Sequence, residues 1–329
     1  MSLGDNQIRL IDFVKKYYTN LKSTNIDMAL SSLCYFATWA ETPGLAKLKF
    51  WQNGWFSLPK FIIIILKNVL SISSHASYDE FYKQHPFKDY DTLIVTWAFK
   101  HNFQRDGSYH DTYFNENSKD LPKSYWLLIS MDGYVPSNLD DNLKILIKKK
   151  GIFKFNLFVF FKILIKLLFQ HKFSARKLFH YFSFYSHFAR MMSFKVKKEL
   201  IKNNYKVILL PYESQPFQHT IFLDAKKINQ QIKTAGYLHS LLTPFPIDFV
   251  YRSGAPDILY VHGESQIEIL RSKLNWPNNK LFLIDSLRYR DDSNFSSNKI
   301  FLPHVIMKKK KLIIEFEKLS INSPLNNFN

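Results

Sequence analysis

Residues 205–211 (YKVILLP), 232–238 (IKTAGYL), 257–263 (DILYVHG) and 280–286 (KLFLIDS) decide how this chain is read. Each is a short apolar run bounded by turn-forming residues, the pattern of a strand buried on both faces. Between them, residues 215–230 and ESQIEILRSKL (264–274) have helical spacing. Strands separated by helices pair in parallel through right-handed crossovers. The expectation is an α/β fold with a Rossmann-like, doubly wound parallel sheet.

Working outward, DTLIVTWAF (91–99) and YWLLISM (125–131) read as two further strands, joined by a polar, irregular stretch over 100–124. Residues 5–40 and 138–150 read as helical, and 43–59 as loop with a short helix. FIIIILKNVL (61–70) is too short to span a membrane and reads as a buried helix or strand. MKKKKLIIEFEKL (307–319) reads as one last amphipathic element. No internal repeat is visible. The domain expectation is an α/β domain over 1–289, with a helical insertion at about 138–200, followed by an extension over 290–329.

The composition of the 329 residues, 46% hydrophobic and 22% charged, is globular and excludes a disordered chain. Cys34 is the single cysteine, so no intrachain disulfide forms, and the first residues lack a secretory pattern. Both lead to the expectation of a cytoplasmic protein. The net charge of +18 calls for an anionic partner.

That charge is concentrated. Residues 144–199 hold 14 Lys and Arg against one acid. The same stretch contains IFKFNLFVFFKILIKLLF (152–169), in which Lys154, Lys162 and Lys166 fall within about 120° on a helical wheel. The rest of the circumference is Phe, Leu, Ile and Val, the pattern of a helix lying in a membrane interface. A basic, aromatic segment follows at 173–192. Two readings stand: contact with an anionic membrane surface, or a helical hairpin packed on the protein's own core. Nucleic-acid binding fits the charge but not a helix so apolar on its other face.

Open α/β sheets bind ligands beyond the carboxyl ends of their strands. Those ends carry Glu213, Gln215 and His219, then His239 and Ser240, then His262, Gly263 and Glu264, then Ser286, Arg288 and Tyr289. Glu213 is either a ligand-facing carboxylate or a cap for the helix after it. His239 is either a site residue or a core histidine. Gly263 before Glu264 has the form of a phosphate-facing turn or of a plain helix start, and Arg288 would suit an anionic sugar or phosphate. A second polar cluster, FQRDGSYHDTYF (103–114), holds Asp106, Asp111 and Tyr113, and Asp132 follows the strand at 125–131. This cluster is either an ordinary loop or an acceptor-binding one. His101, His110 and Asp111 do not have metal-ligand spacing, so no metal is expected. Walker, G-x-G-x-x-G and G-x-S-x-G motifs are absent, which argues against an NTPase, a dinucleotide enzyme and an ordinary serine hydrolase.

From YESQPFQH through AGYLHS and DILYVHGES to LIDSLRY, the chain resembles the end of the first domain of GT-B-type glycosyltransferases of bacterial surface-carbohydrate (lipopolysaccharide and capsule) assembly. DTLIVTWAF, RDGSYHDTYF and YWLLISMDGY look like an upstream part of the same domain, so the resemblance covers about residues 90–290. It implies metal-independent transfer of a sugar from a nucleotide-sugar donor, with no cofactor, to a glycolipid or polysaccharide acceptor at the inner face of the plasma membrane. It makes Glu213 or His239 the candidate base, and Arg288 a candidate for stabilising negative charge. Asp106, Asp111, Asp132, Ser240, Glu264, Ser286 and Arg288 become candidate substrate-binding residues. GT-B enzymes bind the nucleotide in a second Rossmann-like domain, and the residues after Arg288 are too few for one. The implication is a truncated transferase, one completed by a partner chain, or a non-catalytic membrane-docking module derived from one. The basic helix predicts that the chain co-floats with anionic liposomes and does not retard nucleic acid in a mobility-shift assay; the reverse pattern would reject the membrane reading.

Overall fold

A computed structural model describes residues 8, 11–12, 15, 78–83, 89–148, 184–240, 242 and 247–287. The sequence elements at 43–59, 61–70, 152–169 and 307–319, most of 5–40, and Arg288 and Tyr289 lie outside these residues. The chain divides into two units, Met1–Arg290 and Asp291–Asn329. All of the described residues belong to the first.

Its centre is the strand β2 (Thr92–Ala98), whose run TLIVTWA sends Leu93 and Val95 to one face and Ile94, Thr96 and Ala98 to the other, all buried. Both faces being covered, β2 can be apolar throughout. It pairs in parallel with β5 (Ser124–Ser130) on one side and β7 (Val207–Pro211) on the other. From β5 the sheet continues to β6 (Leu143–Lys148) and to the antiparallel edge strand β1 (Tyr78–Tyr82). From β7 it continues to β8 (Lys233–Tyr237), β9 (Ile258–Val261) and β10 (Leu281–Leu283), all parallel. The order is therefore β1-β6-β5-β2-β7-β8-β9-β10, an eight-stranded and mainly parallel sheet. A two-stranded ribbon, β3 (His110–Asp111) with β4 (Glu116–Asn117), stands apart in the loop after β2.

The winding runs one way from β2 through β5 to β6, then returns and runs the other way from β7 to β10. Right-handed crossovers place connections made in opposite directions on opposite faces. The two core clusters fit this. One face packs α1 (Phe184–Lys202), α2 (Pro216–Ile228) and α3 (Glu264–Leu274) onto Leu93, Val95, Leu127, Leu146, Ile208 and Leu210. The opposite face is covered by Tyr109, Phe114 and Leu139 from irregular segments, set on Ile94, Trp126, Leu128 and Ile145. Among the described residues the helices thus cover one face, and loop covers the other.

One expectation for the insertion at 138–200 is corrected. Residues 143–148 are strand, not helix: Leu143 and Ile145 fill one face while Lys144 and Leu146 enter the other. Lys144 is inside. Its Nζ lies 2.7 Å from Glu199 of α1 and 2.6 Å from Glu80 of β1. Lys195 of α1 also pairs with Glu80. Of the two readings of the basic aromatic segment, its end, which lies in α1, fits the helix packed on the protein's own core. α1 is a core helix, with Phe188, Met192, Val196 and Leu200 buried at helical spacing and Lys197, Lys198 and Lys202 on its outer side. Among the described residues no helix is long and apolar enough to cross a membrane.

The ion network joins the sheet edge to α1. Burial would raise the Glu80 carboxyl, but the ammonium groups of Lys144 and Lys195 outweigh it and hold the pKa at about 2. Burial works against the charged form of Lys144 too, and Glu199 and Glu80 reverse it. Removing one member of such a cluster strands the others. Lys144→Ala is expected to cost about 3–5 kcal/mol in a urea-unfolding experiment; a loss below about 1 kcal/mol would show that the network carries no weight.

Candidate functional site

The winding reverses between β2 and β7, and open α/β sheets take ligands in the crevice beyond the carboxyl ends of the strands at such a point. β2 and β7 pair at Ile94 with Leu209. Carried onward by the same step, that register sets Ala98 level with Glu213. Glu213 therefore stands at the switch point itself.

The turn that carries it is built from buried parts. Ser214 adopts a left-handed backbone, φ 56°, which costs a non-glycine residue roughly 1 kcal/mol or more. The Gln218 side chain offsets that cost. Its Oε1 accepts from the amides of Glu213 (3.1 Å) and Gln215 (2.9 Å), and its Nε2 donates to the Pro211 carbonyl (2.6 Å). The Ser214 hydroxyl donates to the Asp248 carbonyl (2.6 Å), and Arg252 donates to the carbonyls of Ser214 and Asp248. Gly236 on β8 lets Tyr212 close against the sheet, since a Cβ there would meet the Tyr212 Cβ at 2.9 Å.

So held, Glu213 faces His239 at the end of β8, with Oε1 3.2 Å from Nε2. Its other oxygen accepts from Gln215 Nε2 at 2.5 Å. The Glu213 side chain is 36% exposed and that of His239 only 6%. The Tyr113 ring meets the imidazole edge-on, centroids 4.5 Å apart. Burial acts to raise the Glu213 carboxyl, yet the bond and charge of His239, with Gln215, bring it below its ordinary value. The pair is a carboxylate–imidazole dyad whose accessible end is Glu213. A carboxylate in this state accepts a hydrogen bond from an incoming hydroxyl and takes its proton as the nucleophile becomes acidic during bond formation.

The remaining sequence candidates are placed as follows. Asp132 lies past β5, its Oδ2 accepting from the Lys100 amide (2.7 Å) just past β2. Burial opposes its charge, but that amide and the Tyr134 amide lower its pKa. Ser240 follows His239, and its carbonyl accepts from Gln266 of α3 (3.3 Å). Glu264 is exposed in the first turn of α3, where an acid complements the helix dipole. Ser286 stands past β10. These residues share the strand-end edge with the dyad.

Asp111 is fully buried, accepting from Thr96 Oγ1, Tyr109 Oη and the amides of Tyr113 and Phe114, each at 2.8 Å. Burial pushes its carboxyl up while those four donors pull it down. It reaches the dyad only by fixing Tyr113. Asp106 pairs with Lys119 at 2.6 Å, which with the Ser108 bonds lowers its pKa. The next residue, Gly107, accepts from the Asp140 amide ahead of β6, so this turn lies toward the amino ends of the strands. Among the described residues no cluster of three or more His, Cys, Asp or Glu could hold a metal ion.

Gln218, Asp248 and Arg252 are functional supports that the sequence reading passed over. Asp248 and Arg252 stand four residues apart inside the apolar run IDFVYR, an oppositely charged pair in an otherwise buried segment, and that was the available signal. Ser214 and His219 are 2.9 Å apart on a strand–turn–helix, an arrangement otherwise suited to a nucleophile. Both are buried and the hydroxyl is committed to Asp248, so they serve the turn.

No family model matches the sequence, and no curated protein does. Among solved structures, the chain is similar in part to an α,α-trehalose 6-phosphate synthase from Burkholderia multivorans. That likeness has 8% identity and a TM-score of 0.32, and covers 57% of this chain and 43% of the synthase. The match thus spans less than half of that enzyme, and at this score it carries no inference about activity.

The electrostatics of the dyad give a direct check. In His239→Leu the opposing imidazole is gone and burial is left unbalanced, so the Glu213 midpoint in a carboxyl ¹³C NMR titration moves upward from its depressed value. An unchanged midpoint would mean that the pair does not form.

Proposed function

We propose that the chain transfers a sugar from a nucleotide-sugar donor to a hydroxyl of a membrane-associated glycolipid or polysaccharide acceptor, in bacterial surface-carbohydrate assembly. The observation that carries the chemistry is the Glu213 carboxylate, held at the switch point by Gln215 and His239 and open to the crevice. The surface-carbohydrate setting rests on the motif resemblance, and the membrane setting on the basic amphipathic sequence at 152–169.

In the proposed reaction the acceptor oxygen attacks the anomeric carbon of the donor. Its bond to that carbon forms as the bond to the nucleotide's phosphate oxygen breaks. Glu213 Oε1 or Oε2 takes the acceptor's proton, and the nucleotide leaves with the bonding electron pair. His239 stabilises and orients the carboxylate, and Asp111 acts further back through Tyr113. Arg288, outside the described residues, is the sequence's candidate for the charge on the departing phosphate. A donor-binding wall would come from a second Rossmann-like domain on a partner chain or elsewhere in the protein.

A second reading, a non-catalytic docking module derived from a transferase, is favoured by one observation. Both Glu213 oxygens already have partners within the chain, as a purely structural carboxylate would. The readings separate in an assay of radiolabelled UDP-, GDP- and ADP-sugars with a bacterial membrane fraction. Glu213→Gln is expected to lower the rate of incorporation about 10²–10⁴-fold with little change in stability. Incorporation that persists undiminished in the variant would leave the module reading.

A further inference from the structure

We propose that the ends of β8, β9 and β10 form a subsite for the uncharged hydroxyl groups of a sugar ring, bound by His262, Gln266 and Ser286. The assignment rests on the transfer reading for what the ligand is used for. It rests on these three side chains alone for what is bound.

Three elements carry them to the same strand-end edge. The Gln266 Nε2 on α3 donates to the Ser240 carbonyl past β8, which fixes the orientation of the amide. The His262 ring, at the end of β9, lies 6.3 Å from that of Tyr237, the last residue of β8. After β10 the chain turns back across the ends of the strands: the Ile284 amide donates to Val261, and the Leu287 amide donates to Tyr237 Oη at 3.0 Å. Ser286 is carried on that return.

Each presents a buried polar atom with no hydrogen-bond partner among the described residues: His262 Nδ1, Gln266 Oε1 and Ser286 Oγ. His239 Nδ1, next along the same edge, is a fourth. Leaving a buried polar atom unpaired costs about 1–3 kcal/mol. Four such atoms lie on adjacent strand ends beside the half-buried Glu213, where a ligand would satisfy them together.

The chemistry of these atoms selects the ligand. A carbonyl oxygen needs a donor, a hydroxyl serves as either, and a neutral imidazole nitrogen serves as either. His262 is on the neutral side, since burial lowers its pKa and the nearby His239 adds to that, against a hydrogen bond to the Leu238 backbone that acts to raise it. A sugar hydroxyl both donates and accepts, so it satisfies all three, whereas a phosphomonoester dianion only accepts and leaves Gln266 Oε1 bare. The charges agree. No Lys or Arg occurs in residues 237–242, 258–266 or 281–287, while Glu264 and Asp285 are exposed there. The α3 N-terminus alone would favour an anion, but its first residue is acidic. The phosphate-facing reading of Gly263 is thereby set aside in favour of neutral hydroxyls.

The test is saturation-transfer NMR on the full chain with glucose, galactose, mannose and N-acetylglucosamine, and with inorganic phosphate and glucose 6-phosphate as competitors. At least one neutral sugar binds, Ser286→Ala and His262→Ala each weaken it about tenfold, and phosphate does not displace it. Ser286→Ala alters a partly exposed residue and keeps the test valid if His262→Ala unfolds. Binding by none of the four sugars, displacement by inorganic phosphate, or full affinity in both variants overturns the proposal. Glu213→Gln keeps the two claims apart. Sugar binding with undiminished incorporation in Glu213→Gln sinks the transfer reading alone, and Glu213-dependent transfer with unaffected Ser286→Ala and His262→Ala variants sinks this subsite alone.

Discussion

Strand β2 has parallel neighbours on both sides, and the connections on its two sides wind in opposite directions. Handedness then leaves no choice about where the chain must part. The segments after β2 and β5 pass over one face, and those after β7, β8 and β9 over the other. Beyond the carboxyl ends of β2 and β7 the two sets part, and among the described residues the loop after β2 reaches across through Tyr113, whose ring meets His239. Glu213 is the third residue past Leu210 in the strand that lines this gap, and its position follows from topology before any side chain is considered.

Topology does not aim a carboxylate, and the buried turn does. Without Gln218, the amides of Glu213 and Gln215 would lose their acceptor, and without Arg252 the Ser214 carbonyl would lose a donor. The strained Ser214 backbone persists because several buried bonds over-determine it. The cost in reactivity is visible: His239 stabilises Glu213 as an anion, which makes it a weaker base in the ground state. Such a carboxylate gains from a nucleophile whose acidity rises in the transition state, as a hydroxyl bonding to an anomeric carbon does.

The strands and helices from β7 to β10 were legible because each apolar run is buried by its own neighbours in sequence, and the period of the pattern reports that burial directly. β6 was not. Its lysine points inward only because Glu199 and Glu80 arrive from elements distant in the chain, and no local window contains them. The edge strand β1 was missed for a related reason: YDEFY alternates poorly, and its pairing with β6 supplies what its composition does not. At the site, Glu213 and His239 were both visible as polar residues after apolar runs, but their division of labour was not. Which one faces the crevice depends on Tyr113, delivered by a loop whose anchor is the buried Asp111.

The distribution of charge separates two tasks that the total of +18 conflates. The basic surplus belongs to 144–199, and even there Lys144 and Lys195 are neutralised by Glu199 and Glu80. Among the described residues the strand ends carry Asp132, Glu213, Glu264 and Asp285, with Lys100 just past β2. A neutral polyol at this edge is indifferent to the whole-protein field and is held by hydrogen bonds alone. The attraction of the basic segment is therefore better matched to a large anionic surface than to the ligand in the crevice. The proposed division follows: charge to hold the protein where its acceptor is, and uncharged polar contacts to choose the ring that Glu213 meets.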